Sequence, residues 1–425
     1  MADTTAPVKS TAAPAQRAFE WAVHWVHPSA AVLPLREGKT KLGRDKSSDW
    51  VLDDEQASRE HATLVVSGAT CSILDLGSSN GVHVDRERVR DSRLADGSVL
   101  RCGNSVGVVV YAGGAKLAPS TLATFERQPY VGSGKLQSVV EHAKLLAQLD
   151  DPVLIQGETG TGKEVVASLL HESSPQRRRG KLIALNCARL QPNLAASELF
   201  GHVRGAFSGA DHAHVGAAVR ADGGTLFLDE VAELGPDVQA TLLRFLATGE
   251  VTPVGGSSSS RSNARIVSAT HGELRALGRS DAFREDLFHR LAVHRLALPA
   301  LRERKEDILS LFEHFAKRPR AAMSAGFVVE LLLAEWRGNV RELKNAAARL
   351  AAAHGAEPMW SHHLASHARA LVEEPARDRA ARELGRKDWV ELFEAHRGNA
   401  AQIARATGFS VSSVKRYLEQ HGVKG

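Results

Sequence analysis

Three short segments between residues 153 and 230 decide how this chain folds: VLIQGETGTGK (153–163), GAFSGA (205–210) and GGTLFLDE (223–230). The first runs from an apolar, strand-like segment into a glycine-rich turn that ends in a lysine. Glycines let backbone N–H groups curl around an anion, and the start of the following helix adds partial positive charge. The third is an apolar strand that ends in two acids. Together they predict an α/β domain that binds a chain of phosphates.

The residue types at the ends of these two strands suit ATP hydrolysis. Lys163 would reach the outer phosphates, and Glu230 is placed to polarise the attacking water. Glu164 occupies the position where a hydroxyl ligand for Mg²⁺ usually follows the lysine, so the metal would rest on Asp229. The predicted cofactors are therefore ATP and Mg²⁺. The predicted ATP-binding residues of the turn are Gly157, Glu158, Thr159, Gly160, Thr161, Gly162, Lys163 and Glu164.

The order of these motifs resembles the AAA+ domain of bacterial sigma-54-dependent transcriptional activators. In that family glutamate commonly follows the lysine, and the Gly-Ala-Phe-Thr-Gly-Ala loop is matched at 205–210 with Ser208 in place of threonine. Further matches are LNCA (185–188), SELFGH (197–202), FREDLFHRL (283–291), LRER (301–304) and WRGNVREL (336–343). The resemblance covers about residues 131–353 and implies an ATPase core followed by a helical lid.

The resemblance also implies roles for residues outside the glycine-rich turn. Asn186 looks like the residue that holds the catalytic glutamate, here Glu230, until ATP is bound. Arg284 and Arg290 look like arginine fingers that reach the nucleotide of a neighbouring subunit, and Arg341 looks like the lid arginine that senses the γ-phosphate. Fingers that act between subunits imply a homo-oligomeric ring, and hexamers are usual in the family.

The same resemblance identifies the middle segment as the loop that contacts sigma-54. Hydrolysis would move this loop against sigma-54 and remodel the closed complex of RNA polymerase and promoter DNA. The loop consists of Gly205, Ala206, Phe207, Ser208, Gly209 and Ala210. A second departure from the family pattern, besides Ser208, is His271, which stands where the family usually has asparagine.

The N-terminal part contains short β-like runs separated by turn residues, such as ATLVV (62–66) and CSILDL (71–76), which predict a small β-sandwich. Over about residues 22–112 it resembles the forkhead-associated (FHA) domain, a reader of phosphothreonine, with SREH at 58–61 and SSNG at 78–81. Charged forks and hydroxyl donors on rigid loops suit a phosphate. The implied ligands are Arg44, Ser58 and Arg59 for the phosphate, and Ser79 and Asn80 for the peptide backbone. The implied partner is a threonine-phosphorylated protein from a Ser/Thr kinase pathway.

The C-terminal segment predicts a helix-turn-helix. Alanine and isoleucine recur at helical spacing in 398–407, Gly408 makes the turn, and Ser410 can cap the next helix. The segment resembles the Fis-type DNA-binding domain that ends many sigma-54 activators. Its second helix would enter the major groove of enhancer DNA. The predicted DNA contacts come from Ser412, Ser413, Lys415 and Arg416.

Composition agrees with a cytoplasmic protein of several domains. A length of 425 residues with 43% hydrophobic residues is enough for separate cores, and the net charge of +5 mildly favours an acidic partner. The three cysteines are widely spaced, so they predict no disulfide or metal framework. A signal peptide and an apolar run of membrane-spanning length are both missing from the sequence, so we expect no membrane partner.

The sequence thus predicts a multidomain fold: a β-sandwich, an α/β AAA+ P-loop ATPase with a helical lid, and an all-α helix-turn-helix. The predicted boundaries are 1–19 for a disordered tail, 20–112 for the sandwich, 113–128 for a linker, 129–302 for the ATPase core, 303–368 for the lid, 369–386 for a connector and 387–425 for the DNA-binding domain.

The favoured interpretation is an ATP-dependent, enhancer-binding activator of sigma-54 RNA polymerase, regulated through phosphothreonine recognition. Two alternatives stay open at this point. One is an AAA+ remodeller of another protein target, which the Phe207 loop disfavours. The other is a DNA-binding regulator with a degenerate motor, for which Ser208 and His271 are the best support.

Overall fold

The structure is a computed structural model, and it describes most of the chain from Glu20 to Leu364 together with part of the C-terminal segment. The described residues are 20–111, 122–125, 128–131, 134–271, 283–364, 389–390, 392–393, 396, 399–400, 402–403, 414 and 418. The chain divides into two compact units, residues 1–359 and residues 360–425. The predicted tail (1–19) and connector (369–386) lie outside the described residues. No helix in the described ranges is long and apolar enough to cross a membrane.

The first domain is a β-sandwich, which confirms the fold predicted for the N-terminal part. Its strands are β1 (Trp21–His27), β2 (Ala31–Leu35), β3 (Gly38–Gly43), β4 (Trp50–Val51), β5 (Ala62–Ser67), β6 (Thr70–Asp75), β7 (Val82–Val84), β8 (Glu87–Val89), β9 (Asp91–Leu94), β10 (Val99–Cys102) and β11 (Ser105–Tyr111). One sheet has the order β2-β1-β11-β10-β7-β8, and the other has the order β4-β3-β5-β6-β9.

Alternate side chains along the strands fill the space between these two sheets. Trp21, Val23 and Trp25 of β1 belong to the same buried cluster as Leu64 and Ile73 from the opposite sheet. Successive side chains of a strand point to opposite faces, so a spacing of two sends every second residue into this core.

The strands β1 and β11 are buried on both faces. All seven residues of β1 are buried, as are all residues of β11 except Tyr111. His24 and Val108 are 1% and 0% exposed, yet neither belongs to the core between the sheets. Their side of the sheet is covered by the helical lid of the second domain, described below.

Two histidines of β1 predict a loss of stability in mild acid. The pKa of His24 is lowered from 6.5 to about 4 by burial, and that of His27 is lowered from 6.5 to about 4 mainly by burial and in part by the nearby charge of Arg320. Below pH 6.5 the unfolded chain therefore binds protons that the folded chain refuses, so stability falls as the pH decreases towards 4. We expect the free energy of unfolding to fall by about 1 kcal/mol for each histidine between pH 7.5 and pH 5.5.

The measurement is chemical denaturation of the full chain at both pH values. His24→Leu is the matched variant, because it places an apolar side chain of similar size in the site and removes the titrating group. It should show a smaller loss than the unmodified chain. An equal loss in both proteins would contradict the assignment to His24.

The second domain is an α/β fold. Its described strands are β12 (Leu122–Phe125), β13 (Gln128–Val131), β14 (Val153–Gln156), β15 (Leu182–Asn186), β16 (Gly201–His202), β17 (His214–Val215), β18 (Thr225–Asp229), β19 (Glu250–Val251), β20 (Ser260–Arg261), β21 (Arg265–Thr270) and β22 (His294–Ala297). Its described helices are α1 (Gly134–Leu146), α2 (Lys163–Glu172), α3 (Ala195–Phe200), α4 (Ala217–Arg220), α5 (Pro236–Thr248) and α6 (Glu285–Leu291).

A parallel five-stranded sheet of order β15-β18-β21-β14-β22 forms the centre of this domain. Helices cover both faces, so its strands are apolar on both sides. Val153 and Ile155 of β14 pack with α1 and α2, whereas Leu154 packs on the other side. Because the strands are parallel, their carboxyl ends lie at one edge of the sheet. The residues at this edge include Gln156, Asn186, Asp229 and Thr270.

The predicted linker differs from the structure at its end. Leu122–Phe125 pairs antiparallel with Gln128–Val131, so residues predicted as a linker form a β-hairpin. The linker prediction rests on Gly113, Gly114 and Pro119, residue types that favour a loop. The later residues include Thr124, Phe125, Tyr130 and Val131, residue types that favour strands.

A helical lid follows the sheet and completes the first unit. Its helices are α7 (Ile308–Ala316), α8 (Ala325–Leu333) and α9 (Asn339–His354), and short 3₁₀ turns occur at Leu301–Glu303, Lys305–Asp307 and Arg320–Ala322. The Ser324 hydroxyl accepts a hydrogen bond from the Phe327 N–H at 3.1 Å and caps α8. Helix α8 packs on α7, where the rings of Phe312 and Phe327 lie 5.4 Å apart, and α9 also packs on α7.

The second unit contains a small apolar cluster. Trp389, Ile403, Val414 and Leu418 are helical and buried against one another. Val414 and Leu418 lie four positions apart, the spacing of one helical face, and both are buried. The helix-turn-helix itself stays a prediction, because most residues of 404–425 lie outside the described residues.

Candidate functional site

The glycine-rich turn lies at the carboxyl edge of the parallel sheet, between β14 and α2. Gly160 and Gly162 adopt left-handed φ angles of 81° and 106°, which only glycine tolerates easily. A Cβ atom on Gly160 would lie 2.3 Å from the carbonyl oxygen of Gly338. Glycine is thus required here both by the backbone angle and by close packing against the lid.

Lys163 and Glu230 meet beside this turn. The Lys163 ammonium donates to the Gly157 carbonyl at 2.9 Å and lies 3.4 Å from Glu230 Oε1; Lys163 is buried and Glu230 is half-buried. Burial alone would raise the pKa of Glu230, but the hydrogen bond from His271 and the charge of Lys163 lower it overall. Glu230 is therefore held as a carboxylate, the form that a general base needs.

Asp229 differs from its neighbour in its electrostatics. Burial and the adjacent charge of Glu230 raise the pKa of Asp229 above its ordinary value. Two neighbouring carboxylates at a partly buried edge repel each other, so a cation placed there would be stabilised. This arrangement suits the metal-binding role predicted for Asp229.

Asn186 contacts a different carboxylate from the one predicted. Its amide Nδ2 donates to Asp229 Oδ2 at 2.8 Å, because Asn186 and Asp229 are direct neighbours on paired parallel strands. Glu230 follows with a left-handed φ of 53°, after which its side chain lies against Lys163 and His271. The predicted contact between Asn186 and Glu230 is thus replaced in this structure by one with Asp229.

His271 is the residue that holds Glu230. Its ring nitrogen Nδ1 lies 2.6 Å from Glu230 Oε2, and its backbone N–H donates to the same oxygen at 3.2 Å. The sequence singled out His271 only as a departure from the family pattern. The two residues are 41 positions apart in the sequence, and no local pattern predicts a contact over that separation.

Glu158 in the glycine-rich turn is held by two residues without a predicted role, Arg302 and Asn339. Arg302 binds Glu158 with two hydrogen bonds of 2.8 and 2.5 Å. Asn339 donates to Glu158 Oε2 and to the Thr159 carbonyl, both at 3.1 Å. The hydrogen bond from Arg302 is the main cause that lowers the pKa of Glu158 to about 2. Arg302 lies in the LRER motif and Asn339 lies in the WRGNVREL motif. The match of these motifs to the family pattern is the sequence signal that could have identified the two residues.

The three arginines that are predicted to contact the nucleotide, Arg284, Arg290 and Arg341, are exposed. Arg341 lies in the first turn of α9, and a Cβ atom on Gly160 would come within 3.2 Å of the Arg341 Cβ atom. Arg284 pairs with Asp286 at 2.9 Å, immediately before α6, and Arg290 lies near the end of α6. Arg341 is thus beside the glycine-rich turn, and the other two are available at the surface.

The geometry fits ATP and Mg²⁺. The glycine-rich turn offers backbone N–H groups at the start of α2, and Lys163 is positioned beside them. The Asn186 Oδ1 atom is buried without a hydrogen-bond partner next to Asp229. Among the described residues no cluster of three His, Cys, Asp or Glu side chains forms a complete metal site. Mg²⁺ would therefore take its remaining ligands from water and phosphate oxygens, as it commonly does.

The predicted sigma-54 contact loop forms a closed turn. The Gly205 N–H donates to the Ala210 carbonyl at 2.8 Å, and the Ala210 N–H donates to the Phe207 carbonyl at 3.0 Å. Phe207 is half-buried, and its ring lies 5.0 Å from the ring of His202. Ser208 is exposed, so its hydroxyl is open to a partner.

The predicted phosphothreonine ligands gather on the loops at one end of the sandwich. Arg44, Arg59, Ser79 and Asn80 are exposed and Ser58 is half-buried. The Ser79 N–H donates to Ser58 Oγ at 3.0 Å, and Asn80 Nδ2 donates to the Gln56 carbonyl at 2.8 Å. The predicted DNA contacts, by contrast, lie outside the described residues: Ser412, Ser413, Lys415 and Arg416.

Three family profiles match consecutive parts of the chain. The Sigma-54 interaction domain matches residues 130–297, the FHA domain matches 40–103 and the AAA+ ATPase lid domain matches 302–381. These matches agree with the sandwich, the α/β core and the lid seen in the structure.

Several bacterial regulators are similar to the chain. The Psp operon transcriptional activator of Escherichia coli (strain K12) is 48% identical over 225 residues, which is 51% of this chain and 69% of that protein. The acetoin dehydrogenase operon transcriptional activator AcoR of Bacillus subtilis (strain 168) is 37% identical over 301 residues, 68% of this chain and 50% of that protein. NtrX from Brucella abortus in complex with ADP superimposes with a TM-score of 0.50 at 29% identity, covering 68% of this chain and 67% of that one. The chain therefore spans between half and about two thirds of the length of these three proteins.

Proposed function

Because this chain belongs to the family of transcriptional activators that carry the sigma-54 interaction domain, we propose that it uses ATP hydrolysis to open promoters held by sigma-54 RNA polymerase. The observation that carries the proposal is the meeting of Lys163, Asp229 and Glu230 beside a glycine-rich turn. The GAFSGA loop on the same domain supplies the means to act on the sigma factor.

Each of these three residues has a separate role in the proposed hydrolysis of ATP. Lys163 would bind the outer phosphates, and Asp229 would hold Mg²⁺, which would supply positive charge to neutralise the phosphate oxygens. Glu230 polarises the attacking water as general base. In this structure Glu230 contacts Lys163 and His271. Binding of the phosphates would draw Lys163 away and leave Glu230 free to face the water.

A ring would complete the site. Arg284 and Arg290 are exposed on and beside α6, where guanidinium groups can reach the nucleotide of a neighbouring subunit. Their exposure supports the proposal of a homo-oligomeric ring, for which the family suggests a hexamer. Arg341 would sense the γ-phosphate within its own subunit, since it lies beside Gly160.

The test of this function is a promoter-opening assay with purified chain, sigma-54 RNA polymerase and ATP. Opening that requires hydrolysable ATP is the expected result. ATP hydrolysis without opening would favour a remodeller of another protein, and the absence of hydrolysis would favour a DNA-binding regulator with a degenerate motor.

The proposed input is a phosphothreonine peptide bound at the sandwich loops. Loss of one charge-assisted hydrogen bond costs about 1.5–3 kcal/mol, so Arg44→Ala should weaken binding of a phosphothreonine peptide by about tenfold or more. The measurement is a titration of the full chain with a degenerate phosphothreonine peptide library and its phosphoserine counterpart. We expect the phosphothreonine peptides to bind better, since the threonine methyl group adds an apolar contact.

Arg93→Ala is the matched control, because Arg93 is exposed on the same sandwich but lies on β9. It should bind as the unmodified chain does, and thermal melts of both variants should match that chain. Equal binding by Arg44→Ala, or no binding of phosphothreonine by the unmodified chain, would remove the proposed input.

The C-terminal segment is proposed to bind enhancer DNA. Lys415 and Arg416 would supply phosphate or guanine contacts, and Ser412 and Ser413 would allow close approach to the groove. The small buried cluster around Trp389 supports a folded C-terminal unit.

A further inference from the structure

The outer face of the six-stranded sheet in the sandwich is apolar. Residues directly opposite each other in an antiparallel pair point to the same face. Ala22 pairs with Val110, His24 pairs with Val108, and Val99 pairs with Val108 from the other side. All five side chains are buried, yet none belongs to the core between the two sheets. This face therefore needs a cover that the sandwich itself does not supply.

The lid helix α8 has a matching excess of apolar surface. A helix that faces one core needs an apolar stripe of roughly 100°. The buried positions of α8 extend well beyond that width, since Ala325, Phe327, Val328, Val329, Leu331 and Leu332 are all buried. One side of α8 packs on α7, and another side packs on β10 and β11. The turn Lys305–Asp307 packs on β1 and β11.

Polar contacts surround this apolar patch and fix its register. Arg86 forms the best defined pair, with two hydrogen bonds of 2.9 and 2.8 Å to the Glu330 carboxylate on α8. Arg86 adopts a left-handed φ of 81° at the turn between β7 and β8, an unusual angle for a residue with a side chain. The other contacts are His27 Nε2 with the Met323 carbonyl, Arg320 with the Val26 carbonyl and Lys305 with the Gly97 carbonyl, each at 2.9 Å.

We propose that the outer face of the six-stranded sheet is a permanent docking surface for the lid, so that the sandwich moves with the lid as one body. The occupant of this surface is α8 of the same chain, together with the turn at Lys305–Asp307. The sandwich is then a structural part of the ATPase and not a module on a tether.

The docked helix is connected directly to the nucleotide site. The Trp336 indole N–H donates to the Leu331 carbonyl at 2.9 Å, which fixes the turn that follows α8. Three residues later Asn339 binds Glu158 and the Thr159 carbonyl of the glycine-rich turn. A displacement of the sandwich would therefore act on the residues that bind phosphate. This consequence rests on the proposed function, whereas the docking itself does not.

The predicted phosphopeptide loops remain open while the sandwich is docked. Arg44, Arg59, Ser79 and Asn80 are exposed in the same structure in which β1 and β11 are covered. A phosphopeptide could thus bind without displacing the lid.

The test is a crosslink across the interface in the full chain. Arg86→Cys combined with Glu330→Cys places two thiols where the side chains now meet, and the native Cys71, Cys102 and Cys187 are buried. A short bismaleimide should join the pair at the mass of a monomer, with the same yield with and without ATP. The matched control is Leu74→Cys combined with Glu330→Cys, since Leu74 is exposed on the other sheet, and it should not crosslink.

Each outcome of this experiment decides one part of the proposal. A low yield for the Arg86–Glu330 pair, or a yield equal to that of the control, would overturn the docking. A yield that falls when ATP is added, or ATP turnover that is lost only after crosslinking, would overturn movement as one body. The yield without ATP is independent of catalysis, so a failure of the proposed ATPase function would be recognised separately.

A second variant tests the apolar face. Val108→Glu places a charge on the outer face without entering the core between the sheets, so hydrogen exchange should increase in α8 while β5 and β6 stay protected. Leu74→Glu, at an exposed position, should change neither region. Unchanged hydrogen exchange in α8 of the Val108→Glu variant would overturn the docking. If the substitution removed protection from the whole sandwich, the yield of the Arg86–Glu330 crosslink would decide whether the docking stands.

Discussion

Replacing Glu230 with glutamine is expected to retain ATP binding and to slow ATP hydrolysis by about 10²- to 10⁴-fold, the usual contribution of a general base. The amide keeps the size of the side chain but cannot accept a proton from water. Lys163→Ala should behave differently and weaken ATP binding itself, because the Lys163 ammonium is the cation beside the phosphate-binding turn. Phosphate release and nucleotide titration on the two purified variants separate these effects.

Glu233→Gln is the matched control for the glutamate substitution. Glu233 lies three residues further along the same segment and is exposed, so its loss should leave turnover unchanged. Normal turnover in both Glu230→Gln and Lys163→Ala would remove the assignment of this site as a motor. The same pair of results would leave the fold and the family untouched.

Replacing Phe207 with alanine should separate hydrolysis from promoter opening. Phe207 lies in a loop that is closed by its own hydrogen bonds and that is separate in sequence from the nucleotide-binding turn, and its ring contacts that of His202. ATP turnover should therefore be nearly normal. An aromatic anchor commonly contributes about 2 kcal/mol or more to a protein interface, so sigma-54 binding and promoter opening should fall by roughly 30-fold or more.

Val293→Ala is the matched control for the loop, since it removes an exposed apolar side chain elsewhere on the same domain. It should open promoters as well as the unmodified chain does. If Phe207→Ala opened sigma-54 promoters normally, the loop would not be the contact with the sigma factor, and a remodeller of another target would become the better interpretation.

Much of the fold followed from local patterns. Alternating runs such as 62–66 predicted the sandwich, and the glycine-rich turn between an apolar strand and a helix predicted the α/β core. The hairpin at 122–131 is not predicted, because the preceding Gly113, Gly114 and Pro119 favour a loop in this segment. Strand pairing over so short a distance depends on what the hairpin packs against, which a local pattern does not contain.

Local sequence was sufficient to identify the chemistry available to this protein: a lysine after a glycine-rich turn, two acids after a strand, a phenylalanine in a small-residue loop and two arginines on the sandwich loops. These depend on residue types at short spacings, which local backbone geometry constrains. Other contacts are visible only in the folded chain: His271 and not Asn186 holds Glu230, Asn339 and Arg302 bind Glu158, and the sandwich buries its outer face under the lid. The physical reason is that such contacts join residues far apart in the chain. Their partners are set by how whole elements pack, and no short segment of sequence encodes that packing.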